Sequence, residues 1–313
     1  MEIKMGGILK STWEMLHDGR FLKKALMIAC PVALQGMLNT IVNMVDTLMI
    51  GGLGSTAIAA VGLANKVFFV FSLLVFGIVS GGGILAAQFW GSGDVKNIRK
   101  VLGLCVMLAM VGAMFFVVPA LTAPRMVMRI FTTSEGSIEL GAKYLRIAAL
   151  SYPFIALTNV YVAMLRATNK VVFPVICSCI AIVVNICLNY VLSFGKLGAP
   201  AMGVAGAACA TLIARCIELI LVLGYVYGKK LALAFSFFPV VHIEFHSNGM
   251  TLGTTMYSLA YGRMSDDAVA AITIATTIQD IAVVLFQGLS AATAVILGNE
   301  LGAGKLKRAE KYA

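Results

Sequence analysis

Charge is scarce in this chain, and so are the patterns that usually carry catalytic chemistry. Asp, Glu, Lys and Arg make up 12% of the 313 residues, against 60% hydrophobic, whereas soluble domains carry about 25% charge. That balance excludes an ordinary soluble fold of this length. No GxxxxGK[ST] occurs, which argues against ATP-driven chemistry. His242, Glu244 and His246 form H-x-E-x-H, not the H-E-x-x-H of a zinc site, because here the Glu points away from the face the histidines share. Clusters of carboxylates or histidines at a membrane face, which an embedded transferase needs, are missing too, so no enzyme is expected. The first 20 residues hold charges throughout, with no apolar core and cleavage site, so a removed secretory leader is not expected.

What the chain has in quantity is apolar sequence, with a mean hydropathy of +0.94. Runs of 20 or so apolar residues cross roughly 30 Å of hydrocarbon at 1.5 Å per residue. Spans are predicted at 22–50, 56–82, 101–120, 140–165, 171–193, 203–227, 248–262 and 268–298. The fold expected is therefore all-α and polytopic, with about eight transmembrane helices in contact with the lipid bilayer.

Basic residues set the orientation, because cytoplasmic loops collect them. Lys96, Arg99 and Lys100, then Arg166 and Lys170, Lys229 and Lys230, and Lys305, Lys307, Arg308 and Lys311 fall on the same side as Lys4, Lys10, Arg20, Lys23 and Lys24. The other side has only Arg125, Arg129, Lys143, Arg146, Lys196 and Arg263. Both termini are expected in the cytoplasm. This bias and contact with anionic lipid account for the net charge of +10, and no basic tract interleaved with aromatics points to nucleic acid. The seven cysteines sit mostly inside spans and read as small apolar residues, with no disulfide or metal role.

A repeat organises the chain. Residues 45–102 align without a gap to 256–313, a shift of 211 that leaves 12 of 58 positions identical, among them Gly51/Gly262, Gly77/Gly288, Gly91/Gly302 and Gly93/Gly304. Six crossings separate the copies, an even number, so both run the same way through the membrane. Parallel repeats of this kind are related by an axis along the membrane normal, and secondary transporters place their substrate site between the halves. A complete second half would end near residue 420, roughly twice the unit length. The domain reading is a cytoplasmic segment at 1–20, a six-helix lobe at 21–230 and a partial second lobe at 231–313. By itself this chain is expected not to transport.

Polar residues inside the spans are one-sided. Gln35, Asn39, Asn43 and Asp46 are spaced by four, four and three, one helical face that hydrocarbon cannot satisfy. Asn185 and Asn189 form a similar pair with Ser178 behind them, and Thr211, Arg215 and Glu218 share a face on the next span. Arg215 and Glu218 are expected to neutralise each other. Pro31 removes a backbone bond from the first span and permits a bend.

The stretches VDTLMIGGLGSTAIAAVGLA, GGGILAAQFWGSGD, LRATNKVVFP, VNICLNYVLSFGKLGAPAMGVAGAACATLIAR and ATTIQDIAVVLFQGLSAATAVILGNELGAGKLKRAEKYA resemble the multidrug and toxic compound extrusion (MATE) family. The likeness covers the chain from about residue 20. Family members are twelve-helix, cation-coupled exporters of two six-helix lobes, so the resemblance implies a complete first lobe and the first two helices of a second. It implies antiport of sodium or a proton against an organic, cationic compound in the bacterial inner membrane, without a further cofactor. It places ion coupling at Asp46, Asn185, Asn189 and Thr211, the substrate cavity along Gln35, Asn39 and Asn43, and a helix bend at Pro31. Two departures are plain. Asn189 stands where some branches carry an aspartate, and FSFFPVVHIEFHSNGMTLGTTMY interrupts the seventh helix of the family. A lipid-linked oligosaccharide flippase has a similar fold but favours a basic cavity, for which only Lys66 and Arg215 speak. An inactive fragment of an exporter is a further reading.

Overall fold

The computed structural model describes residues 19–52, 54–196, 198, 200–229, 231, 288, 290–306 and 308–309. The predicted seventh span, most of the eighth and the H-x-E-x-H stretch lie outside them. The described elements are helices α1 (Gly19–Gly51), α2 (Ser55–Gly91), α3 (Val95–Thr122), α4 (Pro124–Phe131), α5 (Glu135–Ala148), α6 (Tyr152–Ala167), α7 (Val172–Phe194) and α8 (Val204–Gly228). Residues 290–302 are also helical and are called α9. Among the described residues six stretches are long and apolar enough to cross a membrane, with α5 and α6 forming one of them. The protein is an all-α polytopic membrane protein, because in hydrocarbon only a helix satisfies its own backbone.

Helix bounds extend past the apolar windows. α2 runs to Gly91 and α3 starts at Val95, because hydropathy marks the part of a helix in hydrocarbon and not its ends. Lys96, Arg99 and Lys100 thus lie in the first turns of α3, where long side chains reach polar headgroups. Asp94 caps that helix: its carboxylate accepts from the Asn97 amide at 3.1 Å and from Asn97 Nδ2 at 2.6 Å. The span predicted at 140–165 is two helices joined by a 3₁₀ turn at Ala149–Ser151. Pro153 has no N–H to give the Ala149 carbonyl, so the turn tightens there, and Ser151 Oγ donates to the Ala148 carbonyl at 2.6 Å. α1 instead continues through Pro31.

The main core lies between α2, α3, α4, α5 and α6, with Leu63, Leu102, Met128, Leu145 and Met164 fully buried. Phe71 and Tyr152 stack at its centre with ring centroids 4.6 Å apart. Large apolar side chains such as Phe76, Val111, Phe115 and Ile220 face outward instead, as in a protein whose solvent is lipid. Cys30 and Cys187 are exposed in the same way, so not every cysteine is interior. α7 and α8 form a tight antiparallel pair. A side chain at Gly206 would lie 2.6 Å from the Leu192 carbonyl oxygen, and Gly195 ends α7 in the left-handed region at φ 67°, which only glycine adopts freely.

α9 crosses α2 with backbone against backbone. A Cβ at Gly91 would overlap the Asn299 carbonyl, one at Gly302 would overlap the Gln88 carbonyl, and one at Gly298 would lie 2.7 Å from Ala87 Cβ. Residues 88 and 299, 91 and 302, and 87 and 298 are partners under the 211-residue shift. The contact is its own image under the repeat, the pattern of a two-fold-related crossing of small residues. Asn299 Nδ2 also donates to Asn169 Oδ1 at 3.4 Å. The α2–α3 and α6–α7 turns and the end of α9 therefore meet at one end of the bundle, the end with the basic residues.

Candidate functional site

Two polar stripes face each other where α1 runs alongside α7. Gln35 Nε2 donates to Ser178 Oγ at 2.7 Å, and Asn189 Nδ2 donates to Asp46 Oδ1 at 2.6 Å. Both bonds join residues 143 apart, so α1 and α7 are parallel and in register across three turns. Apolar faces of helices in lipid are interchangeable, whereas a polar rung fixes rotation and register.

α8 completes the site from the other side of α7, running antiparallel to it. Asn185 Nδ2 donates to Thr211 Oγ1 at 3.3 Å, and Thr211 Oγ1 donates to the Ala207 carbonyl at 3.1 Å. Ser193 Oγ donates to Asn189 Oδ1 at 2.6 Å. That bond leaves the Asn189 amide hydrogens to face the half-buried Asp46 carboxylate. The structure thus brings Asp46 and Asn189 into direct contact, with Asn185 and Thr211 bonded to each other beside them. Their relation to ion coupling is taken up as a proposal below.

A second network lies toward the basic end. Arg166 Nη2 donates to Gln35 Oε1 at 2.5 Å, Gln35 donates to Ser178, and Ser178 Oγ donates to Glu218 Oε1 at 2.7 Å. Glu218 Oε2 accepts from Arg215 Nη1 at 2.7 Å, the ion pair expected from their spacing. Glu218 is 3% exposed, and a carboxylate so buried is held as a charge only by such partners. Sequence reasoning placed Arg166 with the loop residues and gave Gln35 to the cavity. The structure joins them to each other, and no spacing within one helix signals a bond across 131 residues.

Oxygen atoms are left over between the two networks. Asn39 Oδ1 and Asn185 Oδ1 are buried without a hydrogen-bond partner among the described residues, each a cost of about 1–3 kcal/mol. The Asn43 side chain lies outside the described ones. A carboxylate, an orphan amide oxygen and a threonine hydroxyl are hard oxygen ligands. They fit a small cation, and equally a proton on Asp46, better than they fit an anion.

The MatE family model matches residues 31–191 and 245–313. The probable multidrug resistance protein NorM of Thermotoga maritima is 32% identical over 195 residues, 62% of this chain and 42% of the relative. The probable multidrug resistance protein YoeA of Bacillus subtilis is 30% identical over 214 residues, 66% of this chain and 44% of the relative. The alignments therefore span less than half the length of these two relatives. Among solved structures, an outward-facing multidrug resistance MATE family transporter of the MOP superfamily aligns with a TM-score of 0.75 at 21% identity, covering 93% of this chain and 68% of that one. That likeness is one of fold.

Proposed function

Since the chain belongs to the MatE family, we propose that it contributes the first lobe and part of the second to a secondary antiporter that exports organic, cationic compounds. Sodium or a proton entering down its gradient drives the cycle by occupying the Asp46 region. The observation that carries this reading is the Asp46–Asn189 contact inside candidate spans, next to the orphan oxygen of Asn185. An acid placed there is expensive to insert, somewhat below the about 2.5–3.5 kcal/mol that insertion scales give at the centre of a span, and its only described hydrogen-bond donor is an amide. A cation or proton arriving at Asp46 removes that cost, and a driving ion acts by binding one conformational state better than the other. Gln35, Asn39 and Asn43 extend the same polar face of α1 toward the substrate path, and Pro31 allows that helix to bend.

The 313-residue chain alone should not take up a cationic dye, whereas inverted vesicles containing a chain extended to twelve spans should accumulate it when a sodium or proton gradient is imposed. They should not accumulate an anionic dye of similar size. Uptake of the anion in place of the cation would favour the flippase reading, with Lys66 and Arg215 as its basic groups.

The orientation follows the basic bias, in a bacterial inner membrane with both termini cytoplasmic. Reporter fusions after Lys100, Lys170, Lys230 and Ala313 should be cytoplasmic and one after Lys196 external. A cytoplasmic signal after Lys196 would contradict this arrangement.

A further inference from the structure

Arg215 stands between two carboxylates. It is hydrogen-bonded to Glu218 at 2.7 Å, and it also lies within electrostatic reach of Asp46. The ladder of contacts places Arg215 between the two acids, one turn from Glu218 and two turns from the rung that holds Asp46. Thr211, one turn from Arg215 on α8, bonds to Asn185, and Asn189, one turn further along α7, holds Asp46. Glu218, one turn to the other side, bonds to Ser178. Other charged or titratable groups on the surrounding helices include Tyr144 of α5, also within electrostatic reach of Asp46, Lys66 of α2, and Cys187 and Tyr190 of α7. Arg215 is held in place by the buried Glu218.

The orientation of the second network is fixed by its charges. Every bond from Arg166 through Gln35 and Ser178 points its hydrogen toward Glu218, so the polarised chain stabilises the Glu218 carboxylate without neutralising it. The Glu218 carboxylate, 2.7 Å from Arg215 Nη1, draws that guanidinium away from Asp46.

We propose that Arg215 is an internal counter-cation shared by Asp46 and Glu218, competing with the coupling ion for Asp46, and that Glu218 sets the affinity of that site by holding Arg215 back. This rests on the reading of Asp46 as the coupling residue and adds two positioning residues to it. A cation bound at Asp46 leaves Arg215 wholly with Glu218. When the cation departs, the guanidinium shifts toward Asp46, so the empty site is never an isolated buried charge.

The sign of the effect separates this from a merely structural ion pair. The test is thermal unfolding of the purified chain in detergent, with and without added sodium and at neutral and acid pH. In Arg215→Gln the stabilisation by sodium or acid should grow, equivalent to about tenfold tighter binding at Asp46, the effect of removing one nearby like charge. Glu218→Gln retains the acceptor for Ser178 and releases Arg215, so the same stabilisation should shrink. Arg215→Lys should resemble the parent. Asp46→Asn and Arg215→Gln should also be non-additive in unfolding, the double variant recovering part of the single variant's loss. If Arg215→Gln does not fold, Glu218→Gln and Arg215→Lys carry the test.

Equal losses of cation stabilisation in Arg215→Gln and Glu218→Gln, or an additive Asp46/Arg215 cycle, would overturn the sharing of Arg215 and leave the Asp46 site standing. Cation stabilisation that survives Asp46→Asn would overturn the coupling site instead, and the additivity of the cycle would then decide the sharing alone.

Discussion

In a twelve-span transporter that contains this chain, Asp46→Asn should abolish cation-driven efflux while leaving the protein inserted and folded. The substitution keeps nearly the same volume and an amide oxygen where the carboxylate oxygen was, so the Asn189 amide, which lies 2.6 Å from Asp46, still finds an acceptor and the rung between α1 and α7 remains. Insertion becomes easier, because a charged side chain within a span is the costly form. What disappears is the group whose occupancy distinguishes the two states of the cycle. An ion with no differential affinity shifts no population however steep its gradient. Efflux of a cationic dye from energised vesicles should therefore fall to the level of vesicles without the protein, at unchanged amounts of protein in the membrane. Efflux at the parent rate would end the assignment of Asp46 as the coupling residue.

Gly302→Leu should break the crossing of α2 and α9. A side chain there has no space, since even a Cβ would overlap the Gln88 carbonyl, and that carbonyl belongs to a helix that cannot yield locally. The two backbones must separate, which removes the packing between Ala87 and Gly298 as well. Overpacking usually costs about 1–3 kcal/mol, and a backbone obstacle puts this substitution at the upper end. The unfolding midpoint should drop. The repeat sharpens the expectation. Gly91 occupies the corresponding place against the Asn299 carbonyl, so Gly91→Leu should have an effect of similar size. A large loss at one glycine and none at the other would contradict a crossing that maps onto itself under the 211-residue shift.

Much of the candidate site was legible because its signal is local. Gln35, Asn39, Asn43 and Asp46 recur at helical spacing, and so do Asn185 with Asn189 and Arg215 with Glu218. A single helix suffices to show that such residues share a face and need partners in a membrane. The Arg215–Glu218 pair follows directly, since both ends lie on one helix. The partner of a face is another matter. Gln35 belonged by periodicity to the same stripe as Asp46, yet it bonds to Arg166 and Ser178 and so enters a different network.

The sequence by itself determined the class of this protein. Its low charge and its apolar runs establish an all-α membrane protein, and the repeat, with six predicted crossings between its copies, leads to the expectation of two parallel halves. They hold whatever the packing, because the length of a span and the face of a helix are properties of local chain geometry and of the hydrocarbon around it. Tertiary structure alone decided which faces meet. It set α1 parallel and in register with α7, extended α2 to Gly91, broke the fourth span at Ala149–Ser151 and brought Gly91 and Gly302 against each other's helices. Lipid is as apolar as the helix surfaces, so the hydrophobic effect gives little preference among rotations and registers. Polar rungs such as Asp46–Asn189, and close approach over glycine, select one arrangement, and both depend on atoms that only the folded chain brings together.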